Sequence, residues 1–327
     1  MSITTPVTEM LRFSHPVLLG PMDVVADARL TAAVSAAGGF GILAGGYGDE
    51  AWLTRELDLL EQSQPRFGVG FITWSMARQP QLLDLALQRK PVAIMLSFAD
   101  PGPFSDRIKR TGALLICQIQ SVAMAREVAA CGADIVVAQG TEAGGHGAAR
   151  GLIALVPEVI DAIGIVIPVV AAGGIADGRG LAAALMLGAS GVLMGTRFYA
   201  THEAAAALAA KERVRSASGD DTLRSIVCDL SRRNVCPAPF TGRCLRNAHS
   251  DRWFGREVEL MQRVEQESAN YLAARRDGNF DIAAVIAGES AGLVRELASV
   301  REVVDRIVRE ASALLVLGRA RVQVAEH

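Results

Sequence analysis

Eight times before residue 199, a short apolar run alternates with a stretch of helical spacing. The runs are VLLG (17–20), GFGIL (39–43), FGVGF (67–71), VAIMLSF (92–98), ALLICQI (113–119), ADIVVAQ (133–139), IPVVAAGG (167–174) and GVLMGTRF (191–198). Several are rich in Val and Ile, which suits strands buried on both faces. Amphipathic stretches lie between them at 27–38, 49–62, 79–89, 104–112, 121–132, 154–163 and 177–188. The second places Leu53, Leu57 and Leu60 on one helix face. Gly38, Gly112, Gly132 and Gly188 end four of these stretches, where glycine readily supplies a left-handed residue. Repeated βα units predict a parallel sheet of α/β class. Eight of them predict a TIM (β/α)8 barrel rather than a doubly wound open sheet, because the Gly-rich run ends would then share one rim.

The remainder differs in character. Residues 199–327 are rich in Ala, Arg and Glu and read as mostly helical, most clearly at 256–278 and 300–320. The expected organisation is a barrel over 1–198, a helical cap over 199–299, and a C-terminal helix over 300–327 that packs back as the eighth helix. PAPFTGR (237–243) reads as a loop, and the small-residue stretch IAGESAGLV (286–294) as a return to the barrel mouth. Half of the 327 residues are hydrophobic, enough for a sizeable core. Charges of both signs are mixed to a net −2, which argues against nucleic acid as a partner. The opening MSITTPVTEM has no basic-then-apolar leader pattern, and the apolar stretch 181–194 is too short to span a bilayer. The expected location is the cytoplasm, with no membrane partner.

Five scattered cysteines suit a reducing compartment. Cys228, Cys236 and Cys244 recur every eight residues with His249 nearby, but zinc sites use a tighter knuckle, so no metal is expected. No nucleophile elbow, zinc-binding helix or Walker loop is present, and GGYGDE (45–50) lacks the spacing of a dinucleotide fingerprint.

In a parallel barrel the loops after the seventh and eighth strands often bind phosphate. Here they carry Gly173 and Gly174, then Gly195 and Thr196. Only three of 33 cations are lysines, so backbone N–H groups or arginine would do the binding. The helix start near Asp177 is expected to add its dipole. The loop QGTEAGGHG (139–147) follows the sixth strand on the same rim. Gln139 is placed to bond a heterocycle edge, Gly144 and Gly145 leave room for a flat ring, and His146 points into the pocket. An imidazole there can take a proton or stabilise an anion. His15, His202, His249 and His327 have no such setting. Met22, Phe71, Trp74 and Phe198 are expected as apolar walls.

These segments resemble nitronate monooxygenases. The resemblance rests on LGPM at the first strand, QGTEAGGHG, VVAAGGIADGRGLAAALMLGASGVLMGTRF (169–198) and IAGESAGL, and covers most of the chain. It implies an FMN-containing TIM barrel that oxidises alkyl nitronates, or nitroalkanes, with O2. His146 would be the catalytic residue, as base or electrostatic partner. Gln139, Gly144, Gly174, Leu193, Met194, Gly195 and Thr196 would contact FMN, with the phosphate at Gly173, Gly174, Gly195 and Thr196 and Met22 near the ring. Many members carry asparagine in a GVN motif at the third strand. This chain has Gly70, which leaves only its backbone for FMN. A competing resemblance, through EAGGH and the phosphate loops, is to flavin-dependent enoyl-acyl-carrier-protein reductases. It implies NAD(P)H with an enoyl thioester, or a quinone. FTGRCLRN (240–247) and AGESAGL (287–293) look more like the nitronate enzymes. The expected partners are a small-molecule substrate and O2, with a homodimer as the one assembly admitted.

Overall fold

The computed structural model describes residues 2–63 and 65–321. The last six positions of the expected C-terminal helix segment, including His327, lie outside them. Among the described residues there are eleven strands: β1 Val17–Leu19, β2 Gly41–Ala44, β3 Phe67–Ile72, β4 Ala93–Ser97, β5 Leu114–Ile119, β6 Ile135–Gln139, β7 Gly145–Gly147, β8 Val169–Ala172, β9 Gly191–Met194, β10 Thr222–Ser225 and β11 Thr241–Leu245. Eight of them form one parallel sheet in the order β1-β9-β8-β6-β5-β4-β3-β2. A further parallel bridge from Leu18 to Phe40 brings the two edges together. The protein is a TIM barrel.

Each barrel strand is buried along nearly its whole length, so hydropathy alone cannot separate its faces. Packing does. Ile135 and Val137 join Ile116, Val170 and Leu193 in the barrel interior. Val136 and Ala138 face outward to the helix layer with Leu115, Cys117 and Ala171. Period-two alternation therefore continues Gln118 and Gln139 inward, at the C-terminal edge of β5 and β6.

Side-chain caps start the barrel helices. Asp27 accepts from the Leu30 N–H at 2.8 Å, and Ser121 from the Met124 N–H at 3.2 Å. The helix Val300–Arg321 packs against both Gly178–Met186 and Ala28–Ala36, and so takes the eighth place in the helical ring. A Cβ on Gly178 would stand 2.3 Å from the Cβ of Glu310, so glycine permits this close crossing.

The region between barrel and last helix is not only helical. β10 and β11 lie within it and pair antiparallel, and β11 also pairs with β7 from the Gly-rich loop. Thr241–Leu245 thus turns part of the stretch read as a loop into a central strand, because the backbone groups of β7 and β10 need partners on both sides. The expected helix over 256–278 is two helices, Glu257–Gln262 and Val264–Asp277, joined at Arg263. Among the described residues no helix is long and apolar enough to cross a membrane.

Candidate active site

The C-terminal ends of the barrel strands open on a cavity of about 370 Å³, roofed by the segment after β9. All twelve residues expected at the site line it: Met22, Gly70, Gln139, Gly144, Gly145 and His146 with Gly173, Gly174, Leu193, Met194, Gly195 and Thr196. Phe71 lines it too. Trp74 and Phe198 do not. Phe198 begins no wall because β9 ends at Met194 and the chain turns into a short helix, Thr196–Tyr199, that carries Phe198 into the core. Trp74 stands behind Tyr47, ring centroids 6.1 Å apart.

The arc after β8 and β9 presents backbone. Gly173 and Gly174 hold φ of 111° and 71°, a region that L side chains rarely adopt. The N–H groups of Gly173, Gly174 and Gly195 find no acceptor among the described residues, and no side chain caps Thr196. That is a cradle of free donors of the kind a phosphate fills. The helix at Asp177 does not contribute to it. The N–H groups of Arg179 and Gly180 already donate to the Asp177 carboxylate at 3.0 and 3.2 Å, and that of Gly178 to Glu310 at 3.1 Å. Two carboxylates occupy the positive end of this helix and repel a further anion.

The arc after β6 presents side chains on a clamped loop. Arg224 donates to the carbonyls of Thr141 at 2.9 Å, Ala143 at 3.0 Å, Gly145 at 3.4 Å, and Thr241. Burial and the neighbouring Arg243 lower its pKa to about 10, which leaves it charged at neutral pH. Arg243 adds a bond to the Thr141 carbonyl at 3.0 Å and an ion pair with Glu289 at 3.0 Å. Gly144 has a reason of its own. A Cβ there would stand 2.6 Å from the backbone of Ala287 and Gly288, so the residue serves the close approach of the 286–294 segment rather than clearance for a ring. That segment does return to the mouth, where the Gly288 N–H donates to Thr196 Oγ1 at 2.9 Å. The loop is therefore fixed by Arg224, Arg243 and the 286–294 segment.

His146 is held at both ends. Its carbonyl accepts from Gln139 Nε2 at 3.0 Å, while Gln139 Oε1 accepts from Gln118 at 3.0 Å and Gln120 at 2.8 Å. Gln139 thus spends its amide on orienting the backbone of His146. The imidazole Nε2 stands 2.9 Å from Asp229 Oδ2, with only 8% and 5% of the two side chains exposed. A carboxylate only accepts, so the proton of this bond sits on Nε2. In the neutral ring Nδ1 is then the open nitrogen, 3.5 Å from the Tyr47 hydroxyl. The Phe98 ring meets the imidazole edge-on at 5.9 Å.

The profile of the nitronate monooxygenase family matches residues 4–66 and 70–310. The chain belongs to this family. It is a flavin-dependent oxidoreductase. Nitronate monooxygenase npaC of Metarhizium robertsii is 36% identical over 91% of this chain and 91% of its own length. A (3aS,4S,5R,7aS)-5-hydroxy-7a-methyl-1-oxo-octahydro-1H-indene-4-carboxyl-CoA dehydrogenase of Mycobacterium tuberculosis is 33% identical over 99% of this chain and 100% of its own. The structure of FabK from Thermotoga maritima superimposes with a TM-score of 0.88 at 31% identity, covering 98% of this chain and 100% of that one.

Gly70 stands where the family resemblance leads one to expect asparagine. A Cβ there would lie 2.5 Å from Pro21 Cγ and 2.6 Å from Pro21 Cβ. Pro21 fills the volume into which an asparagine side chain would have to start, so the asparagine cannot be restored without moving the β1 loop.

Tyr47, Asp229 and Arg232 line the cavity and are among the residues that the sequence does not single out. Asp229 and Arg232 share the short helix Val227–Arg232 with Cys228, which also faces the cavity. Cys228 lies 3.8 Å from Cys244, Sγ to Sγ, while His249 bonds Ser231 at 2.8 Å elsewhere in the cap. Among the described residues no three metal-ligating side chains converge. Tyr47 carried a signal, since an aromatic residue among glycines after a barrel strand repeats the setting of His146. Asp229 and Arg232 carried none, being polar positions in a helix outside the repeat.

Proposed function

We propose that this protein oxidises alkyl nitronates, and nitroalkanes after removal of a proton, with O2 and bound FMN. The cradle at Gly173, Gly174, Gly195 and Thr196 would hold the FMN phosphate through backbone N–H groups. When bound, the flavin supplies the two-electron redox chemistry and the route of electrons to oxygen. The protein supplies position and proton control. With Nε2 committed to Asp229, Nδ1 of His146 is the atom that takes the proton of a neutral nitroalkane. With a nitronate the protonated ring donates from Nδ1 to the anion instead. Burial raises the pKa of the Tyr47 phenol, so it keeps its proton and serves as a donor. The observation that carries this reading is the buried Asp229–His146 pair with its second nitrogen turned to the cavity.

A second reading is an NAD(P)H-dependent reductase of an enoyl thioester or quinone. It is favoured by the full-length similarity to a CoA-thioester dehydrogenase. Anaerobic mixing of the FMN-loaded protein with an alkyl nitronate and, separately, with NADH distinguishes the two. Rapid bleaching by the nitronate alone is expected. Rapid bleaching by NADH with none by nitronate would replace the first reading with the second.

A further inference from the structure

On the roof of the cavity, Arg232 is a nearly buried guanidinium with no acceptor at hydrogen-bond distance among the described residues. Its side chain is 14% exposed, and its nearest carboxylate is Asp23 at 3.7 Å, beyond a hydrogen bond. Its other neighbour is the ring of Tyr47, 5.5 Å from the guanidinium carbon. Buried donors are almost always satisfied, and a guanidinium has five. Burial opposes its charge, but nearby groups that include Asp23 and Asp229 hold its pKa above the ordinary value, so Arg232 is a charged side chain whose ion pair leaves its N–H donors without a hydrogen bond. Arg275 adds a second cation to the cavity lining. Tyr47 links the two sides, since its ring lies against Arg232 and its hydroxyl reaches His146 Nδ1.

We propose that Arg232 and Tyr47 form the subsite for a planar, two-oxygen monoanion, a nitronate or a carboxylate, next to His146. The rigid fork of arginine matches two coplanar oxygens, which a single ammonium would not. Tyr47 adds one O–H donor, and the anion so held places its carbon side toward the imidazole. Arg232 is thereby a specificity-determining residue that selects anionic over neutral substrates. This deepens the reading of His146 as the residue that meets substrate, and it rests on that reading.

Calorimetric titration of the FMN-loaded protein with propionate, a non-reacting planar monoanion, tests the subsite apart from turnover. Propionate binds one to one in the wild type and is displaced by propyl-2-nitronate, the planar anion of 2-nitropropane. R232M weakens propionate about 10- to 100-fold, the range for charge-assisted bonds. R232K, which keeps the charge without the fork, loses less, and Y47F less again. D23N leaves binding equal or tighter. An unchanged propionate Kd in R232M, or in R232K should R232M not fold, overturns the proposal. So does a loss in D23N as large as that in R232M, which would make Arg232 a structural partner of Asp23. If propionate binds through Arg232 but the wild type turns over no nitronate, the anion subsite stands and the nitronate reading falls. If nitronate turns over with a KM indifferent to R232M, the reverse holds.

Discussion

The two arcs of the rim solve recognition with different parts of the chain. After β8 and β9 the cavity is lined by backbone: two positive-φ glycines, a third glycine and a threonine, with N–H groups left free. After β2 and β6 it is lined by side chains, Tyr47 and His146, completed from the roof by Asp229 and Arg232. The backbone arc is made within about 25 residues of chain and needs only the barrel. The side-chain arc draws on residues from Tyr47 to Arg232, and its His146–Asp229 pair alone joins positions 83 apart. The difference teaches a division of labour. On the proposed function, cofactor holding would belong to the barrel, and proton and substrate control to the junction of barrel and roof.

Perturbing the two arcs separately should give effects of different kind as well as size. The largest follows from removing the clamp on the side-chain arc. R224M removes one donor from each of four carbonyls, of which that of Thr141 keeps Arg243, and a loss of about 2–4 kcal/mol in unfolding free energy is expected by denaturant titration. A loss below ~0.5 kcal/mol would mean the Gly-rich loop holds itself. Next, on the backbone arc, G173V forces a branched side chain into φ of 111° and against Ala143 N, 3.0 Å from a Cβ. FMN affinity should drop about 10- to 100-fold in fluorescence titration, with circular dichroism unchanged. Unaltered affinity would place the phosphate elsewhere.

D229N should act on chemistry alone. An amide can donate to Nε2 and so invert the tautomer, and about a tenfold to hundredfold fall in kcat is expected at wild-type FMN content. If KM and FMN content fall while kcat holds, Asp229 is part of the binding scaffold instead. The smallest effect lies away from both arcs. Burial lowers the pKa of His249, so the folded state favours the neutral ring. Its contribution to stability is complete above pH 6.5, the ordinary value, and is lost as pH falls through the window below it. Thermal melts of the wild type against H249N should therefore converge as pH is lowered, and parallel curves would remove His249 from the account.

The comparison also explains what the sequence makes legible. The eight strands announce themselves because a parallel barrel needs short apolar runs at regular intervals, and the observed bounds fall within or beside each run. Gly173, Gly174 and Gly195 are legible because missing side chains next to a strand end advertise backbone exposure. His146 is legible for the same reason, although Gly144 proved to serve packing against Ala287 and Gly288. The helix at Asp177 misled because its own N-cap carboxylate uses the N–H groups a phosphate would need. Asp229 and Arg232 were not legible at all. Their place depends on how β10 and β11 join β7 and swing a short helix over the mouth, a long-range pairing with no local pattern.

The division of labour is tested most directly by anaerobic reduction of H146N with an alkyl nitroalkane, read as flavin bleaching in protein whose FMN content is measured first. The account predicts full FMN content, because the backbone arc is untouched, and bleaching slowed by about 10²- to 10⁴-fold, because the proton acceptor is gone. Bleaching at the wild-type rate with FMN in place would contradict it.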